Sequence, residues 1–284
     1  FRPFPFPFPF PFLLFPFCLF LAFACTDQDD VTDSESTSSS EIFTVHRGVN
    51  ISHWLSQSSR RGDERQDYFT EDDVAFLAKA GFDHIRIPID EEQMWNEAGE
   101  KETEAFELLH DALTWAQKHK LRAIVDLHIL RAHHFNEDEK PLWTAPAAQE
   151  QFFQAWRELS DELKDYPSSE VAYELMNEPV ADDPEDWNQL VADAIAVVRE
   201  REPERKILVG SNRWQSTETF DDLRLPEGDT NLIVSFHFYE PFLLTHHQTS
   251  WTDIGDYDGP VHYPGKIIPD KAFEKIEDEE LKDN

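Results

Sequence analysis

Val171-Ala-Tyr-Glu-Leu-Met-Asn-Glu-Pro179 is an apolar, strand-like run that closes on an amide, a carboxyl group and a proline. Pro179 has no N–H and disfavours helix at the residue before it, so the strand is expected to stop at Glu178. A carboxyl group then emerges from the end of a buried strand, with Asn177 beside it. In an α/β barrel, catalytic acids are held at such strand exits.

Outward from this stretch the same texture repeats. From Ile42 short apolar runs alternate with helical periodicities. Strands are expected over 43–50, 82–87 (ended by Pro88), 121–127, 171–176, 207–210 and 232–238. Between them, Thr70 can cap a helix that carries Val74 and Leu77 on one face and ends at Gly81. Phe106, Leu109, Leu113 and Ala116 share a face of a second helix, and Phe152, Trp156, Leu159 and Leu163 of a third. Asp183-Pro184 is a helix start, at N-cap and first turn, for a helix bearing Trp187, Leu190, Ala194 and Val198. Such alternation makes a parallel sheet with right-handed crossovers. No Gly-x-Gly-x-x-Gly follows the first strand and there is no phosphate loop, so the usual nucleotide marks are missing. Polar residues close nearly every strand rather than one switch point. The expected fold is therefore α/β, a (β/α)8 barrel present for about six of its eight units, rather than an open doubly wound sheet.

Composition limits the partners. A formal net charge of -33 argues against binding nucleic acid phosphates and suits a neutral substrate. Both cysteines, Cys18 and Cys25, fall within residues 1–25, so the remaining chain has neither a disulfide framework nor a cysteine zinc site. Residues 1–25 are apolar after Arg2 and finish Leu21-Ala-Phe-Ala-Cys25, like a secretory or lipoprotein signal whose Cys25 would carry the lipid. The Phe-Pro alternation departs from a normal signal helix. Residues 26–41, Asp-, Ser- and Thr-rich, read as a disordered tether, and 42–284 as the partial barrel. The expected location is outside the cytoplasm: extracellular, periplasmic or on the outer membrane of a bacterium, as a monomer.

At the strand exits stand Asn50, His53, Arg86, Asp126, His128, Asn177, Glu178, Asn212, His237 and Tyr239. Each alone has a structural reading: Arg86 as partner of a core carboxylate, His128 as a satisfied core histidine, Asn212 as a helix cap. Together, Arg47-Gly-Val-Asn50, Ile85-Arg-Ile-Pro88, Val125-Asp-Leu-His128, Glu174-Leu-Met-Asn-Glu-Pro179 and His237-Phe-Tyr239 resemble glycoside hydrolase family 5, the cellulase-type barrels, in family order. The resemblance implies a retaining β-1,4-glucanase that acts on a glucan chain without a cofactor or a metal. It makes Glu178 the acid/base, Asn177 the partner of the sugar 2-hydroxyl, and Arg86 the residue that keeps the nucleophile charged. His128, His237 and Tyr239 line the cleavage subsite. The family's nucleophile, a Glu ending a seventh strand, and a Trp after the eighth have no match up to Asn284. Glu274, Glu277, Glu279 and Glu280 sit in what reads as an exposed helix, and none is assigned the role.

The chemistry explains the residue types. Cleavage passes through an oxocarbenium-like state; one carboxylic acid with a raised pKa protonates the leaving oxygen, and a second carboxylate about 5–5.5 Å away attacks. Pyranose faces stack on indole, and Trp214, just after the fifth strand, is the first candidate platform, ahead of Trp143 and Trp251. Trp115 and Trp156 read as packing, and Trp187 leans the same way. Three other readings stay open: a metal cluster of His53, Asp126, His128, His133 and His134, whose loop spacing is poor for zinc; a surface protein that binds glucan without cutting it; and a mannan- or xyloglucan-specific hydrolase of the same family.

Overall fold

The computed structural model describes residues 42–136, 138–252, 254, 257–276 and 282. The signal and lipid-attachment reading of 1–25 and the tether reading of 26–41 lie outside them, as do Glu277, Glu279 and Glu280.

Six strands form one sheet: β1 (Gly48–Asn50), β2 (His84–Asp90), β3 (Arg122–Ile129), β4 (Val171–Glu174), β5 (Lys206–Gly210) and β6 (Leu232–Ser235). Every pairing is parallel, and the spatial order is the sequence order. Among the described residues the order never reverses, which rules out the doubly wound alternative. The sheet is a half-barrel.

Four long helices cross between strands: Glu71–Lys79, Thr103–Lys118, Pro146–Leu163 and Pro184–Arg199. The first opens on a capping box between Thr70 and Asp73. The last opens on Asp183, whose Oδ1 accepts the Glu185 N–H at 3.0 Å. The stripes read from the sequence are the buried ones, Val74, Leu109, Trp156 and Val198 among them, and they pack on one face of the sheet against Ile85, Val125, Tyr173 and Ile207. Strand side chains alternate between faces, so the intervening residues point the other way. There Ile124, Ala172 and Leu208 make a small cluster plugged by Phe43. One step further along the strands, this second face turns polar, with Asp126, Glu174 and Ser235 replacing the apolar side chains. That step is the floor of the site.

The fourth and sixth strands end short of their expected limits, at Glu174 and Ser235 rather than 176 and 238, and two further strand expectations need correction. The first strand is three residues rather than eight, because Phe43 leaves the sheet to plug its end. The backbone N–H groups of His46 and Arg47 are satisfied by the Asp83 carboxylate instead of a ladder. Nor does Pro88 end β2, which runs on to Asp90. In a parallel strand the N–H and C=O of one residue face the same neighbour. The Arg86 carbonyl accepts the Ile51 N–H, so Arg86, and Pro88 two residues on, face the β1 side. β1 has already ended at Asn50, so the missing proline N–H falls where no acceptor waits.

Candidate active site

β4 ends at Glu174, and beyond it the chain stays bonded to both neighbouring strands. The Leu175 N–H reaches the Leu208 carbonyl at 3.4 Å and the Asn177 N–H the Leu127 carbonyl at 3.2 Å, so the run stays sewn to β5 and β3. At Glu178 the backbone turns left-handed (φ 46°), which for a residue with a Cβ costs roughly 1–2 kcal/mol. Neighbouring loops hold it there. Gln215 Oε1 accepts the Glu178 N–H (3.2 Å), and His133 Nε2 accepts the Val180 N–H (3.2 Å). Asn212 both accepts from and donates to the Ala181 backbone (2.8 and 2.9 Å).

Glu178 is buried, with 7% of the residue exposed. Its Oε1 lies 2.6 Å from His237 Nδ1 and accepts the Tyr239 hydroxyl at 2.8 Å. Burial pushes its pKa up, but the hydrogen bond and charge of His237, followed by the Tyr239 bond, outweigh it. The result is a pKa below the usual carboxylate value, not the raised one that an acid role leads one to expect. Burial and the adjoining Glu178 charge push the Tyr239 phenol up, so it stays a donor.

Arg86 organises the other half. Its Nε and Nη2 donate to the two oxygens of Glu174 (2.7 and 3.1 Å), and Nη2 also meets Asp126 Oδ2 (2.9 Å). Nη2 and Nη1 further donate to the side-chain oxygens of Asn177 and Asn50, each at 2.9 Å. Burial would lower the Arg86 pKa, yet the Asp126 and Glu174 charges raise it, so the guanidinium is fixed as a cation. Burial pushes Asp126 up, whereas Arg86 holds Glu174 below its ordinary value against the same effect. With the Asn177 oxygen engaged by Arg86, its NH2 is the end left to donate. His128 Nδ1 lies 2.6 Å from Asp126 Oδ2.

Six of the residues singled out in the sequence thus fall into two hydrogen-bonded groups: Glu178, His237 and Tyr239 in one, Arg86, His128 and Asn177 in the other. Gln215 joins the groups, because its Nε2 donates to Glu174 Oε1 at 3.2 Å while its Oε1 holds Glu178. Trp214 stands outside the network. The residue is 44% exposed, and its backbone N–H donates to the Pro179 carbonyl (3.3 Å). Trp143 packs edge-on against His133 and Trp187, which is a core arrangement, while Trp251 is exposed.

The histidines considered as metal ligands are dispersed. His53 is on the Gln57 carbonyl, His133 on the Val180 N–H, and His134 stacks on Phe135. Among the described residues no three His, Cys, Asp or Glu side chains converge as a metal site. Sequence reading gave no role to Glu174 or Gln215. A charged residue inside an otherwise apolar strand was a usable signal for Glu174; Gln215 carried none.

A half-barrel with a buried, hydrogen-bonded glutamate at its strand exits defines the class of barrel glycosidases. The chain belongs to the cellulase family, glycosyl hydrolase family 5, whose family model matches residues 45–284. It is 31% identical over 233 residues to Endoglucanase C of Acetivibrio thermocellus, a match covering 80% of this chain and 67% of that protein. With Cellodextrinase A of Ruminococcus flavefaciens it shares 29% identity over 212 residues, covering 73% of this chain and 62% of that one. Among solved structures, Thermotoga maritima Cel5A in complex with mannotriose superposes with a TM-score of 0.63 at 26% identity, covering 74% of this chain and 66% of that one. The chain thus spans about two thirds of the length of these relatives.

Proposed function

We propose that the protein hydrolyses internal β-1,4 bonds of a glucan by a retaining double displacement, with Glu178 as the acid/base. The observation that carries this reading is the Glu178 carboxyl, buried at the β4 exit with His237 and Tyr239 on one oxygen. The choice of glucan rests on the endoglucanase relatives, and a mannan is the competing substrate because the Thermotoga neighbour binds mannotriose.

Asn177 NH2 donates to the sugar 2-hydroxyl, a bond that strengthens as positive charge grows on the ring. Glu174 and Asp126 are committed to Arg86, so neither is given the attack. The reaction takes a second carboxylate as nucleophile, and no described residue is assigned that role. The nucleophile's negative charge would raise the Glu178 pKa for the first, protonating step. Once it is consumed in the glycosyl-enzyme, Glu178 falls back to the low pKa set by His237 and Tyr239, which suits the base that activates water.

Glu178→Ala is expected to lose about 10²–10⁴-fold of its turnover on unactivated glucan. Azide, which needs no base, then yields a β-glycosyl azide. In the unmodified protein the first sugar released keeps the substrate's anomeric configuration by proton NMR. An inverted product, or undiminished turnover by the variant, overturns the reading; a panel of cello- and manno-oligosaccharides decides the sugar.

A further inference from the structure

β5 leaves the sheet through Ser211-Asn-Arg-Trp-Gln215, and three successive residues of this turn are left-handed without being glycine: Arg213 (φ 56°), Trp214 (φ 60°) and Gln215 (φ 56°). Strain of this kind persists only where the surroundings over-determine it, and it concentrates at functional sites. The ties are present. Asn212 is bonded both ways to Ala181, Trp214 N–H to the Pro179 carbonyl, and Ser211 Oγ donates to the Ser216 carbonyl at 2.5 Å.

What the turn achieves is the placement of one side chain. Gln215 is fully buried and fills the space above Gly210, where an added Cβ would come within 2.2 Å of Gln215 Cγ. Its amide can sit one way only. Oε1 takes the Glu178 N–H at 3.2 Å, and Nε2 donates to the Glu174 carboxylate at 3.2 Å and lies 3.1 Å from Ser235 Oγ. Reversal would set oxygen against carboxylate and N–H against N–H. The Gln215 backbone carbonyl, in turn, accepts the His237 N–H at 3.1 Å. One residue therefore fixes the left-handed backbone of Glu178, the backbone of its partner His237 just beyond β6, and the carboxylate that Arg86 holds.

We propose that Gln215 is a positioning residue that aims the Glu178 carboxyl at the leaving-group oxygen and sets its distance from His237. The proposal rests on Glu178 being the acid/base. Misplacing a reacting group by about 1 Å costs on the order of 10²-fold. Gln215→Leu, similar in shape but without polar atoms, is expected to lose about 10–100-fold in kcat on unactivated glucan, with KM nearly unchanged. With a dinitrophenyl cellobioside, whose leaving group needs no proton, kcat/KM stays within about threefold of the parent. The Glu178 carboxyl, followed by carbon-13 NMR, titrates at a higher pH in the variant because its bonds to His237 and Tyr239 loosen.

Gln215→Glu gives a second reading of the same arrangement and preserves shape if Gln215→Leu does not fold. Protonated, the introduced carboxyl can reproduce both amide bonds; ionised, it faces Glu174 and cannot. The variant should approach parent behaviour at low pH and lose it as the introduced group ionises, adding a limb to the titration that the parent lacks. Equal losses on both substrates, or an unmoved Glu178 titration in folded variants, overturn the proposal. If the parent cleaves neither substrate, the functional reading fails, and the Glu178 titration still decides whether Gln215 positions that carboxyl.

Discussion

Arg86 is a single cation shared between two buried carboxylates, and its side chain is itself mostly covered. Removing it leaves Glu174 and Asp126 facing each other with the cost of burial unopposed. Arg86→Met should therefore destabilise the fold by about 3–5 kcal/mol, as when one partner of a buried pair is deleted. Guanidinium unfolding measures this, and a loss under about 1 kcal/mol would mean that water already relieves the pair. At this scale the sequence was informative. A lone arginine within Ile85-Arg-Ile and an Asn-Glu-Pro closing an apolar run are costly residues in a buried strand, and cost marks a site. It was silent on Gln215, whose role depends on a left-handed turn and on the empty space above Gly210, neither of which has a periodic signature.

Between elements, His133 links the β3 loop to the β4 exit. Its Nε2 accepts the Val180 N–H, so the ring must be neutral with the proton on Nδ1, a buried atom without a partner among the described residues. Burial, helped by the Lys140 charge, lowers its pKa from 6.5 to about 4. The unfolded chain binds this proton more readily, so the stabilisation is complete above about pH 6.5 and is lost as pH falls toward 4. From about pH 7 to about pH 4.5 the parent should lose about 2–3 kcal/mol more than His133→Gln, which keeps an acceptor but cannot titrate. Denaturation curves at the two pH values check it, and parallel losses would place the acid sensitivity elsewhere. Element types and order were legible because helical stripes and buried runs are strong patterns. Boundaries were not, since Pro88 and Phe43 depend on which neighbouring strand has ended and what plugs the sheet.

Over the whole molecule, 58 acidic residues face 25 basic ones, so most carboxylates have no counter-charge. Self-repulsion then opposes compaction. Raising salt from about 0.01 M to about 1 M shortens the screening length from about 30 Å to about 3 Å. Tm should rise by about 2–4 °C for each kcal/mol of repulsion relieved. A calorimetric scan that shows a fall would mean that surface ion pairs outweigh net charge.

The polar step on the second face of the sheet takes one or two residues from each strand, from Asn50 at the end of β1 to Tyr239 beyond β6. No hairpin or helix pair contains even two of its strand exits, so no early, local piece of structure can hold a working fragment of it. Each strand must first be carried back across a helix to its neighbour, which is the slow kind of contact to form. Catalytic geometry is in this sense a late property of the chain, reached only when the strands of the sheet have paired in register. Before that point the same carboxylates and guanidinium are ordinary hydrated charges.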